Sequence, residues 1–176
     1  MSGLNVSDSL LVAGIAAGAT LLAVVVTSAF NIRVARLNID AQSRSKAKEL
    51  RIAKLEELFY LFDKWKINLT QIYLFHLRCY RGKLTFREVM DLVGKLDILA
   101  PGDALKYRMI MDLHFPSLTN AYSQVEDARK NLVPFLSDPA VSKLKVIDFV
   151  NRQVEFEAAC DTFKSKMGEL AHETLK

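Results

Sequence analysis

The chain is 176 residues long, 51% apolar and 25% charged, with 24 Lys and Arg against 20 Asp and Glu for a net charge of +4. Apolar content this high excludes a disordered chain, and 7 Gly with 4 Pro exclude a collagenous or low-complexity one. Two cysteines cannot staple a disulfide miniprotein. Nucleic acid is a partner to be tested by asking where the positive charge sits.

Between Ser9 and Ile32 there is no charged residue, and Leu10–Phe30 reads LLVAGIAAGATLLAVVVTSAF. As a helix it is about 31 Å long at roughly 1.5 Å per residue, a match to a hydrocarbon core of about 30 Å. The spacing predicts a transmembrane helix over 10–30, preceded by a short extracytoplasmic N-terminus over 1–9. A cleaved signal peptide is the rival reading. It needs a positive n-region and a shorter apolar stretch, whereas MSGLNVSD carries only Asp8 and the flank after the span is strongly basic. Gly14 and Gly18 form a GxxxG pattern, the small-residue spacing that lets two membrane helices approach closely, and they are candidate helix contacts.

Residues 31–54 contain no Gly or Pro and are expected to continue the helix as a basic juxtamembrane neck. Arg33, Arg36, Arg44, Lys48, Arg51 and Lys54 fall within one arc of about 120° when each residue turns about 100°. Lys and Arg beside a span favour the cytoplasmic side and attract anionic headgroups. The expected orientation is therefore N-terminus outside and C-terminus in the cytoplasm, in the cell membrane. Seven basic and two acidic residues put +5 on this collar, while 55–176 carry equal numbers of each sign. The basic charge is an orientation signal, and no nucleic-acid partner is expected, since no aromatic platform or binding motif accompanies it.

From Leu55 the arc turns apolar through Leu58, Phe62, Trp65, Leu69 and Ile72, a heptad-like run of under three heptads. Arg81-Gly82-Lys83 ends this helix, with Gly as the natural breaker. Thr85-Phe-Arg-Glu88 fits a capping box, and the helix it opens carries Phe86, Val89, Met90, Val93 and Leu96 on one face. Ala100-Pro-Gly-Asp103 predicts a turn, with Asp103 as N-cap of a short helix to about Leu113. His114-Phe-Pro116-Ser117 breaks again before a helix using Leu118, Tyr122, Val125, Leu132 and Leu136, bent near Pro134.

Asp138-Pro139 predicts the start of a last helix running to about Glu173. It is apolar on two sides. Leu144, Ile147, Val150, Val154 and Ala158 make one; Phe149, Phe156, Cys160, Phe163, Met167 and Leu170 make the other. A helix apolar on two sides sits centrally in its bundle or meets a second molecule. Phe149, Phe156, Phe163, Met167 and Leu170 are the candidate protein interface. With no strand alternation, the fold class is all-α: an N-terminal transmembrane helix continuing into a long helix and a cytoplasmic bundle over 55–176.

No constellation argues for chemistry. His76 and Cys79 lie one helical turn apart but lack two further zinc ligands at diagnostic spacing. Glu169-x-x-His172 matches one di-iron half-motif, and such a site needs two plus further glutamates. Neither cysteine has a base beside it in sequence, and no glycine-rich phosphate loop exists outside the span. No catalytic residue, metal or cofactor is assigned. The expected function is a membrane-anchored interaction or scaffold protein that binds the bilayer and a protein partner or a second copy of itself. A small membrane-acting effector that oligomerises through its span is the alternative, and a metal-binding or catalytic bundle the third reading.

Overall fold

The computed structural model describes residues 6–96 and 101–175, and among these there are helices and turns but no strand. Six α-helices follow in order: α1 (Val6–Tyr80), α2 (Phe86–Val93), α3 (Pro101–His114), α4 (Thr119–Leu132), α5 (Pro139–Ser142) and α6 (Val146–Leu175). The fold is all-α. The chain divides into two compact units, Met1–Ala47 and Lys48–Lys176. Among the described residues the first consists of α1 alone; the second takes the rest of α1 and the other five helices.

The end of α1 is set by local chemistry. Gly82 sits at φ +69, a left-handed conformation that glycine adopts without a Cβ penalty. Around it the Lys83 N–H donates to the Arg78 carbonyl and the Gly82 N–H to that of Cys79, both at 2.9 Å. This is the Schellman pattern, which occupies carbonyls the last turn would otherwise leave unpaired. At the start of α2 the Thr85 hydroxyl accepts from the Glu88 N–H at 3.3 Å, and the Glu88 carboxylate accepts from the Thr85 N–H at 2.7 Å. The capping box expected from Thr85 and Glu88 is present.

Four helical legs of the second unit form an up-down-up-down bundle. On α1, Lys64 and Trp65 reach Asp103 and Tyr107 of α3. Tyr107 of α3 meets Tyr122 of α4, with ring centroids 5.7 Å apart. Tyr122 meets Phe163 of α6 at 5.6 Å. Phe163 closes the ring on Phe62 of α1 at 4.6 Å. Leg α6 runs antiparallel to α1: Tyr80 stacks edge-on with Phe149 at 5.4 Å, and seven residues along each helix Tyr73 meets Phe156 at 5.5 Å. Burial of Leu55, Leu58, Phe62, Tyr122, Val125, Leu132, Phe149, Phe156, Phe163 and Met167 makes this one core.

Three expectations are corrected. Asp103 is not an N-cap: α3 begins two residues earlier at Pro101, the position where a fixed φ and a missing N–H suit a first helical turn. The Ala100 end of the predicted turn lies outside the described residues. Asp103 instead faces Lys64, with 3.2 Å between charged atoms.

The last helix is also not one piece. Asp138 caps the Ala140 N–H at 2.9 Å as expected, but the helix it opens stops at Ser142, and Lys143 turns left-handed at φ 53. Val141 and Ser142 are weak helix formers. The Ser142 hydroxyl shares a 2.8 Å hydrogen bond with that of Tyr80, a tertiary contact that holds the break.

The third correction concerns the interface residues. Phe149, Phe156, Phe163 and Met167 are buried inside the chain's own core, and Leu170 packs against it. The three phenylalanines present no surface to a second molecule, and Leu170 is half-buried. The outward side of α6 is the other one, where Ile147 and Val154 are about 60% exposed (60% and 61%).

Candidate functional site

In the first unit the apolar run lies open. Leu21, Leu22, Val24, Val25, Val26 and Phe30 are all exposed, and α1 is the one described helix near the N-terminus long and apolar enough to cross a membrane. None of its most apolar window is buried against protein. Gly14 is exposed and Gly18 half-exposed, and a Cβ at either would meet nothing within 4 Å. Both glycines therefore leave a shallow place on the helix where another backbone has room to approach. Apolar exposure continues past the uncharged run, with Ile32, Leu37 and Ile39 more than half exposed (56%, 62% and 63%).

The six basic residues of the neck fall into two groups. Arg33, Arg36 and Arg44 are exposed on the first unit. On the second unit Lys48 is exposed, whereas Arg51 and Lys54 are engaged. The Arg51 guanidinium lies 5.9 Å from the ring centre of Phe115, a cation–π distance, and Lys54 bridges Glu57 at 2.7 Å. Glu57 also takes Lys106 of α3. Hydrogen bonds from Lys106 and then Lys54 hold its carboxyl down to about 2. Arg51 is thus turned to Phe115 just past the end of α3, and Lys54 pairs along its own helix, while Glu57 and Lys106 tie α1 to α3.

An apolar groove of about 440 Å³ lies between α1 and α6 in the second unit. Ile52, Leu55, Phe59 and Tyr60 form one wall and Met167, Ala171 and Leu175 the other, with Gly168 open between them. Phe59 has the Lys164 ammonium 4.7 Å from its ring centre, and Lys164 bridges Asp63 at 2.6 Å. Further along the same helix pair Lys66 bridges Asp161 at 2.6 Å. Phe59 is 39% exposed on the rim of this groove.

A polar chain is built into the α3–α4 contact. The hydroxyls of Tyr107 and Tyr122 are hydrogen-bonded, and Tyr122 donates to the Glu126 carboxylate at 2.6 Å. Arg129 reaches the same carboxylate at 3.0 Å. Burial alone would raise the Glu126 proton affinity, but the bonds from Tyr122 and Arg129 outweigh it and the carboxyl titrates below its ordinary range. Burial, the Glu126 bond and the Tyr107 bond push the Tyr122 phenol upward. These groups satisfy one another, which is the arrangement of a structural network.

The residues weighed for chemistry do not converge. His76 is buried on α1, and Cys79 one turn on is half-buried. Glu169 is exposed and bridged to Lys166 at 2.7 Å, and His172 is exposed. Among the described residues no three His, Cys, Asp or Glu side chains come together as a metal-binding group. Cys160 is fully buried, and burial pushes its thiol up to about 12, so it is not a ready nucleophile. Compared with protein-family models, curated proteins and solved structures, the chain matches none.

Proposed function

We propose that this protein is a non-enzymatic, single-pass membrane protein that holds a helical bundle against the cytoplasmic face and associates with a second copy of itself. The observation that carries the reading is the uncharged apolar run 10–30, unburied by the rest of the protein where it is described, followed by a basic collar. A solvated helix with this many bare Leu, Val and Phe side chains is costly in water and stable in hydrocarbon. The Lys and Arg after it favour the cytoplasmic side for the bundle. Gly14 and Gly18 supply the helix face on which two spans pack.

Two measurements test it. A reporter fused after Lys176 that is active only in the cytoplasm, on a protein resistant to alkaline extraction from membranes, supports the anchor and its orientation. Activity only in the extracytoplasmic compartment overturns the orientation, and release by alkali overturns the anchor. Light scattering in detergent separates the self-association. A dimer that dissociates in Gly14→Leu and Gly18→Leu is expected, and a strictly monomeric protein sinks that part alone.

A further inference from the structure

We propose that α2 is an acid-released flap, latched to the bundle at the buried imidazole of His76. His76 is 3% exposed, and its Nδ1 has no hydrogen-bond partner. Its ring lies 6.0 Å from that of Phe86, the first residue of α2. A buried polar atom without a partner is uncommon, and its position against α2, a helix of eight residues, is informative.

The attachment of α2 is weak and almost wholly apolar. Val89 is its single buried residue. Among the described residues its side-chain hydrogen bonds are internal, between Thr85 and Glu88, so α2 keeps its cap whether it is docked or free. Gly82 at φ +69 precedes it, and the turn Gly94–Leu96 follows it. The four legs of the bundle are tied across the core by aromatic pairs and, for α1, α3 and α6, by ion pairs.

Protonating His76 would place an N–H and a positive charge where nothing accepts either. The charge is relieved most easily by admitting water, and release of α2 does this without opening the core. No other group offsets the effect. On its own helix the titratable groups one turn away are Tyr73, Cys79 and Tyr80, none of them a carboxylate; on α2 it is Glu88, which is engaged by Thr85. Asp138 of the segment before α5 acts with Glu88 on the Cys79 thiol, and burial is the sole cause acting on the imidazole, lowering its proton affinity. If only the open form binds the proton, the ratio of open to closed rises up to about 25-fold between pH 7 and pH 5, for a free histidine near 6.5.

The test is hydrogen exchange by mass spectrometry on the full-length protein at pH 7 and pH 5, corrected for intrinsic exchange. The expected result is a rise in α2 opening approaching 25-fold, with α4 and α6 unchanged, and loss of the rise in both His76→Phe and His76→Gln. Equal α2 protection at the two pH values overturns the proposal. So does equal loss in α2, α4 and α6 together, or the same rise in either variant.

Discussion

The ring of Phe163 lies 4.6 Å from that of Phe62, centroid to centroid, and this contact marks which of the two apolar sides of α6 is the core. Both rings are fully buried, whereas Val154 on the opposite side of α6 is 61% exposed. Truncating a buried phenylalanine loses its transfer free energy and leaves a cavity. Phe163→Ala is expected to cost about 3–5 kcal/mol, and Val154→Ala to stay within about 0.5 kcal/mol. Urea unfolding of the two variants checks it, the first shifting the midpoint strongly and the second hardly at all.

The Tyr107–Tyr122–Glu126 chain makes an ordering prediction. The Tyr122 hydroxyl stands between the other two groups, so Tyr122→Phe leaves both short of a partner. Tyr107→Phe leaves the bond from Tyr122 to Glu126 in place. Removing a buried partner costs about 1–3 kcal/mol, and Tyr122→Phe should therefore be the more damaging change in the same unfolding assay. Equal effects would show that the chain does not act as a relay of bonds.

Acid should weaken the bundle through Glu57. Its carboxyl is depressed to about 2 by Lys106 and Lys54, below the ordinary 4.5. A group whose folded value is lowered stabilises the fold fully above its unfolded value and loses that stabilisation as pH falls through the folded one. The window is therefore from about 4.5 down to about 2. Lys106→Met should flatten the fall of stability across that window, and added salt should do the same, because the pair faces solvent.

Two glycines should respond in opposite directions to the same substitution. Gly82 has φ +69 with open space around a would-be Cβ, so Gly82→Ala is strained by the backbone alone and should cost about 1–2 kcal/mol. Gly168 lies inside α6, also with nothing within 4 Å, and Gly168→Ala should stabilise by about 0.5–1 kcal/mol. Thermal melts of the pair read both signs in one experiment.

Much of the fold was legible in residues that act on their immediate neighbours. Thr85 with Glu88, Gly82 with the carbonyls behind it, and Asp138 with Pro139 each complete their chemistry within a few residues, so they mark helix ends wherever the chain goes. The break at Lys143 was not legible, because no Gly or Pro announces it and the Tyr80–Ser142 bond that accompanies it joins distant segments. His76 looked like half of a metal pair by spacing; only packing shows it buried without a bond to Nδ1. Arg51 reads as lipid-facing on a helical wheel, and only its distant partner Phe115 shows it turned to the bundle.

The sequence by itself determined where the charge and the apolar surface lie along the chain: an uncharged run of membrane length, a collar of +5 and a neutral helical remainder. It also determined most helix boundaries, because capping and glycine breaks are short-range. The tertiary structure decided which faces are inside. On α6, helical periodicity offered an aliphatic side and an aromatic side on equal terms. The aromatic side is the buried one, since Phe149, Phe156 and Phe163 remove more apolar area from water and find rings on α1 and α4 to pack against.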